Sequence, residues 1–262
     1  MFAQLSKDLG AGYTATVGAR ETVVEANKHY NAFTPQFALL KKLDNNSSLY
    51  ANAAKSFKMP TFTQIYGGGG ANFAANPLLE PEEGWTYEFG YKKTSNTSMF
   101  KAALYYMDLD TIEYEGKGTS SNPYVTRNMS FKNKGLEMIY EKDFGSKYSY
   151  SLGANFCNPM GKNKKGVWER KFAREQYNAG IKYHDAKFNA ALTGMFTTDR
   201  ASGWGDLLPV NFIAGYKFDK SNSVELGVEN IFDRDDIVSN PGSATKYYCL
   251  PRMVHVTYTY TF

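Results

Sequence analysis

Chemistry in this 262-residue chain rests on a short set of side chains. Its three histidines are His29 in a long polar stretch, His184 at a short turn and His255 near the C-terminus. That spread offers no convergence for a nucleophilic triad or a histidine metal cluster. Catalytic and metal-ligating residues are therefore not expected, no cofactor is implied, and His255 reads as a polar filler. Ser and Asp are plentiful, but no spacing sets any of them apart. Cys157 and Cys249 fall about five strands apart, near 20 Å at strand spacing, so no disulfide is expected. The residues better suited to work are aromatics and cations in the polar stretches: Phe62, Tyr66, Phe73, Tyr124, Arg127, Trp204 and Arg252. Rings and cations of this kind suit a bulky anionic chelate. Each also has a plainer reading, the ring as an interfacial anchor and the cation as a contact for an anionic surface.

The elements that must position them are strands. In the last nine residues Val254, Val256, Tyr258, Tyr260 and Phe262 alternate with His255, Thr257, Thr259 and Thr261. Period two with an aromatic-apolar face and a small polar face suits lipid on one side and water on the other. The pattern recurs: Trp85, Tyr87, Phe89 and Tyr91 alternate with Thr86, Glu88, Gly90 and Lys92, and Tyr148 to Phe156 and Val210 to Phe218 do the same. A soluble sandwich would fill such faces with Val, Ile and Leu rather than Tyr. Mean hydropathy of −0.48 and the lack of any run of about 18 apolar residues exclude a helical membrane protein. A net charge of +4, spread without a basic stripe, gives no case for nucleic acid.

Connections alternate in length. Short ones fall at Asp44-Asn45-Asn46, Thr94-Ser95-Asn96, Phe144-Gly145-Ser146, His184-Asp185-Ala186 and Asp219-Lys220-Ser221. Long polar ones span 22–31, 58–83, 115–123, 159–166, 198–208 and 234–248. Short periplasmic turns and long outer loops are the rule in outer-membrane barrels. The spacing predicts about thirteen strands, within a range of about 12–14. The first segment, near Phe2 to Ser6, descends toward the periplasm, and Met1 to Asp8 has no signal-peptide pattern. An exported barrel beginning this way reads as the C-terminal part of something larger.

Two stretches carry a resemblance. Ser56-Phe57-Lys58-Met59-Pro60-Thr61 closes a strand, and Asn76-Pro77-Leu78-Leu79-Glu80-Pro81-Glu82 leads into the next. Further echoes follow at Asn128 with Gly135-Leu136-Glu137, at Glu229-Asn230-Ile231-Phe232-Asp233, and at Pro251-Arg252. In this order and spacing the chain resembles the barrel of TonB-dependent outer-membrane receptors. Pro60 fits where the ladder stops, since it has no N–H to donate. Pro77 and Pro81 hold their preceding residues extended. Gly67 to Gly70 reads as a loop tip.

The resemblance implies an all-β, antiparallel transmembrane β-barrel, with residues 1–262 as the C-terminal portion of a 22-stranded receptor barrel. Plug and early strands would lie elsewhere. It implies outer-membrane uptake of an iron-siderophore or similar chelate, bound by extracellular loops and lumen. Implied partners are outer-membrane lipid, lipopolysaccharide, the barrel-assembly machinery, and the energy-coupling TonB complex only if another segment supplies the plug. Tyr258, Tyr260 and the terminal Phe262 resemble the signal read by the assembly machinery. Two alternatives stand beside this reading: a passive pore or structural barrel derived from such a receptor, and a small barrel enzyme.

Overall fold

The computed structural model describes residues 1–26, 28–68, 72–200, 204–239 and 246–262; of the Gly67–Gly70 tip, Gly69 and Gly70 lie outside them. Among the described residues the strands are β1 (Phe2–Gly10), β2 (Tyr13–Glu25), β3 (His29–Lys42), β4 (Ser47–Lys58), β5 (Glu82–Thr94), β6 (Ser98–Glu115), β7 (Val125–Phe144) and β8 (Tyr148–Cys157). They continue as β9 (Met160–Lys162), β10 (Trp168–Arg170), β11 (Glu175–His184), β12 (Phe188–Thr198), β13 (Val210–Lys217), β14 (Asn222–Glu229), β15 (Ile237–Ser239), β16 (Tyr247–Tyr248) and β17 (Met253–Tyr260). One short helix, α1 (Phe62–Tyr66), follows β4. The sheet has 15 strands; thirteen follow one path in sequence order, and β9 and β10 branch from it at β7. The expected all-β antiparallel architecture and strand number are present.

The turns form because their first residue supplies an acceptor. Asp44 Oδ1 accepts from Asn46 N at 2.7 Å and Ser47 N at 2.8 Å. Asp185 does the same for Lys187 and Phe188, Asp219 for Ser221 and Asn222, and Ser95 Oγ for Thr97 and Ser98. Each side chain mimics a backbone turn acceptor. The Phe188 and Lys187 amides and the Tyr183 hydroxyl hold the Asp185 carboxyl down at about 2. All five expected short turns are in place. A sixth, joining β1 to β2, is a Gly10-Ala11-Gly12 turn in which all three residues have positive φ.

Three boundaries differ from expectation. Strand β1 runs to Gly10, beyond the Phe2–Ser6 segment. The stretch 22–31 is mostly ladder, since Glu25 still pairs with His29. The loop expected over 159–166 contains the β9–β10 hairpin and reaches Arg174. In each case the apolar alternation fades once both faces meet water, while backbone pairing continues.

The chain divides into two compact units, residues 1–91, 103–135 and 158–171, and residues 92–102, 136–157 and 172–262. In the first, the largest fully buried side chains are Ile65, Leu79 and Pro159 in connections and Thr126, the second residue of β7. The strands of this unit bury Tyr30, Ala32, Ala103, Met129 and Phe131, and the folded connection adds Ile65 and Leu79. In the second, two aromatic rows cross the wall. Phe156, Tyr177 and Phe196 meet near the loop ends, and Tyr148, Tyr183 and Phe188 near the turns. Along β11 the rows lie six residues apart, roughly 20 Å. The rows suit the two interfaces of a membrane. Between them is an apolar trough of about 790 Å³, lined by Leu152, Ala179, Ile181, Leu192, Gly194 and Val210. Carbon-lined and on the aromatic face, it suits acyl chains rather than a polar ligand. On the opposite face the His255 ring lies against Gly227, where a Cβ would collide with it. His255 therefore fills space left by glycine.

Candidate functional site

The connection between β4 and β5 folds into a module of its own in the first unit. Pro60 ends the ladder, and Thr61 caps α1 through a capping box. Thr61 Oγ1 accepts from Gln64 N at 3.3 Å, and Gln64 Oε1 accepts from Thr61 N at 2.7 Å. The Gln64 amide then donates to Tyr114 Oη at 2.7 Å, tying α1 to β6. Gly67 ends the helix at φ +72°, where a Cβ would stand 2.8 Å from Ala75 N and Phe73 O. Only glycine fits that turn.

Asparagines hold the rest. Asn76 Nδ2 donates to Thr126 O at 2.7 Å. Asn128 accepts from Glu80 N at 2.9 Å and donates to Glu80 O at 2.8 Å, so its amide stands in for a missing ladder partner. Asn76, Glu80 and Asn128 of the motif stretches are thus fasteners. In the second unit Asn230 has the same office: buried at φ +48°, it donates to Arg234 O and Leu250 O, both at 2.8 Å. It thereby pins both ends of the last long loop.

The seven ligand candidates divide by environment. Phe62 and Tyr66 lie on the outer side of α1, 76% and 52% exposed, with rings stacked 6.0 Å apart. Phe73 packs on Tyr124 at 5.2 Å and on Tyr114 at 5.7 Å, so Phe73 and Tyr124 are spent on holding the module together. Arg127 is committed to carboxylates: its Nε meets Glu115 at 2.8 Å and its Nη2 meets Glu113. Those five lie in the first unit. The other two lie in the second, where Trp204 sits under the Arg200 guanidinium at 5.1 Å and the Arg252 amide donates to Asp233 Oδ1 at 2.8 Å. Neither Cys157 nor Cys249 is in a disulfide. The Cys157 thiol faces Ala173 O, and burial pushes the Cys249 thiol up.

Sequence reasoning missed a polar cavity of about 630 Å³ in the first unit, lined by Tyr30, Asn31, Phe57, Glu80, Asp110 and Asn128 among others. Lys28 reaches over the Tyr30 ring at 5.2 Å and pairs with Glu80, which raises its pKa. Asp110 accepts from the Ser130 hydroxyl at 3.3 Å. The available signal was Asn128 beside Glu80-Pro81, read as motif but not as cavity wall. Among the described residues no group of three His, Cys, Asp or Glu forms a metal nest.

A family model described as TonB dependent receptor-like, beta-barrel matches residues 1–231. No curated protein matches the sequence. Among solved structures, the copper transporter OprC superposes with a TM-score of 0.78 at 12% identity, over 100% of this chain and 47% of its own. The ferric enterobactin receptor PfeA from Pseudomonas aeruginosa, in complex with enterobactin, gives 0.77 at 18%, over 100% and 45%. The unliganded ferric citrate transporter FecA gives 0.73 at 20%, over 100% and 44%. The chain thus spans less than half of each.

Proposed function

Because the chain belongs to the TonB-dependent receptor-like β-barrel family, we propose that it forms barrel wall and outer loops of a receptor taking up an iron-siderophore or a similar bulky chelate. It is an outer-membrane β-barrel chain. The family is one of receptors, not enzymes. The ligand is held by the loop module of the first unit, with the polar cavity beside it.

The observation that carries this reading is the exposed ring pair of Phe62 and Tyr66 on a fastened base. Two stacked rings left in water on a helix anchored by Ile65 and Gln64 have no packing role of their own. They offer a flat apolar surface to a planar aromatic or chelated group. Arg127 acts through the charge network around it rather than as a free cation. Outer-membrane lipid and lipopolysaccharide surround the aromatic rows, the barrel-assembly machinery reads Tyr258, Tyr260 and Phe262, and energy coupling to the TonB complex comes through a plug provided by another segment.

The test is binding of ferric enterobactin to the chain in lipid nanodiscs, followed by quenching of intrinsic fluorescence. Replacing both Phe62 and Tyr66 by alanine is expected to weaken binding at least about tenfold, as loss of a stacking surface does. Unchanged binding, or no binding of this or any other iron chelate by the parent, refutes the proposal.

A further inference from the structure

The β9–β10 hairpin is attached to the wall sparingly. It joins β7 through two residue pairs, Phe131 with Gly161 and Lys132 with Met160, and β10 pairs only with β9. The Asn158 amide donates to Lys134 O at 2.9 Å at its base, Lys132 lies 5.5 Å from the Trp168 ring, and a set of ion pairs ties it to β6 and β7. Lys171 at its foot meets Glu113 Oε2 at 3.0 Å and Glu169 at 3.1 Å. Arg127, between Glu113 and Glu115, also donates to Lys162 O at 3.4 Å. Lys164 at the tip reaches Glu115 at 3.5 Å. Three carboxylates thus alternate with three cations from β6, β7 and the hairpin.

The members differ in how much water they meet. The Glu113, Lys171 and Arg127 side chains are 18%, 20% and 24% exposed, whereas that of Lys164 is 68% exposed. Partly covered pairs are screened little, and removing one partner strands the other's charge; exposed pairs count for little. Glu113 is the keystone, since it bonds a β7 cation with one oxygen and the hairpin's cation with the other. Gly161 lets the Lys171 stem lie flat: a Cβ there would stand 2.5 Å from Lys171 Cε and 2.8 Å from the Met129 sulfur.

We infer that β9–β10 is a flap latched by Glu113 across Arg127 and Lys171, and that a polyanion opens it by competing for those two cations. This rests on the receptor reading only for the anionic character of the ligand. A guanidinium and an ammonium spaced by one carboxylate present to a multivalent anion what they now present to Glu113. The flap then swings free of β6, while its two ladder pairs to β7 serve as the hinge.

The experiment is hydrogen exchange on the chain in lipid nanodiscs, reading amides of 160–170 against those of β11 and β12 as an internal standard. Glu113→Gln and Lys171→Met are each expected to speed flap exchange about tenfold, with the double variant no faster than either, because both break one linkage. Lys164→Ala is expected to change nothing. On the unmodified chain, citrate at fixed ionic strength is expected to speed flap exchange where chloride does not. Additive effects in the double variant, or single variants that exchange like the parent, overturn the latch. Citrate acting no differently from chloride overturns opening by anions, and the citrate arm stands even where a variant misfolds. Neither readout involves an iron chelate, so failure here is separate from failure of the receptor proposal.

Discussion

Replacing Gln64 by alanine removes two fasteners from the loop module at once. Its Oε1 loses Thr61 N, and its Nε2 loses Tyr114 Oη, each at 2.7 Å. Gln64 itself is buried, but Thr61 and Tyr114 both reach solvent, so water replaces part of what each loses. The low end of the usual range then applies, about 1 kcal/mol for each bond, or about 2 kcal/mol together. At about 1.4 kcal/mol per factor of ten, local opening becomes about 30-fold more frequent. Hydrogen exchange of amides in 62–68 and 72–80 reads this directly, and β11 amides are expected to stay as in the parent. Gln64→Glu keeps an acceptor for Thr61 N, and the Tyr114 hydroxyl rotates to donate to the carboxylate, so exchange within about threefold of the parent is expected. If alanine leaves exchange unchanged, the side chain does not hold the module. If glutamate is as damaging as alanine, the hydrogen bonds are not the reason.

Two more outcomes follow from single side chains. Because the folded Asp185 carboxyl is held at about 2, below its ordinary value, it contributes stability above about pH 4 that is lost as pH falls toward 2. Thermal melts of the lipid-reconstituted chain between pH 5 and 2 should therefore decline less steeply for Asp185→Asn than for the parent, and identical acid limbs would sink the assignment. Gly67→Ala places a Cβ in a left-handed turn against Ala75 N and Phe73 O, and should cost the module about 1–3 kcal/mol, read as faster exchange over 62–68 with the wall unaffected. A parent-like exchange pattern there would mean that the turn relaxes without cost.

What the sequence made legible tracks where one face met lipid and the other water. The turns at Asp44, Ser95, Gly145, Asp185 and Asp219 announced themselves through residues whose side chains or φ angles make turns. The Gly10-Ala11-Gly12 turn was readable in principle from its two glycines. Beyond the membrane the code stops: β2 ends in Glu-Thr-Val-Val-Glu, where neither face is favoured, yet its ladder to β3 continues. The β9–β10 hairpin was hidden for the same reason. At the site, residue types were readable but their commitments were not. Arg127 was legible as a cation, but nothing in its neighbourhood of sequence reveals Glu113 and Glu115 beside it. Phe73 and Tyr124 were legible as aromatics in polar stretches, but no local pattern shows that they meet each other.

That sorting is what narrows the binding face. A loop standing in water must supply its own core, and this one does so with Ile65 and Leu79, 2% and 1% exposed, and with the packed rings of Phe73 and Tyr124. Once those are spent, the rings left over are Phe62 and Tyr66, with Leu78 nearby in sequence at 83% exposure. Burying an aromatic side chain is worth about 1.5–3 kcal/mol, so a fold that had only its own stability to serve would gain by turning these rings inward. The fasteners at Thr61, Gln64 and Gly67 instead fix the helix with its aromatic side outward. Serine at Phe62 and Tyr66 is therefore expected to leave exchange of the module as it is while abolishing the ring surface. A fall in chelate binding under those conditions has one cause, whereas a collapse of the module would show that the rings were core after all.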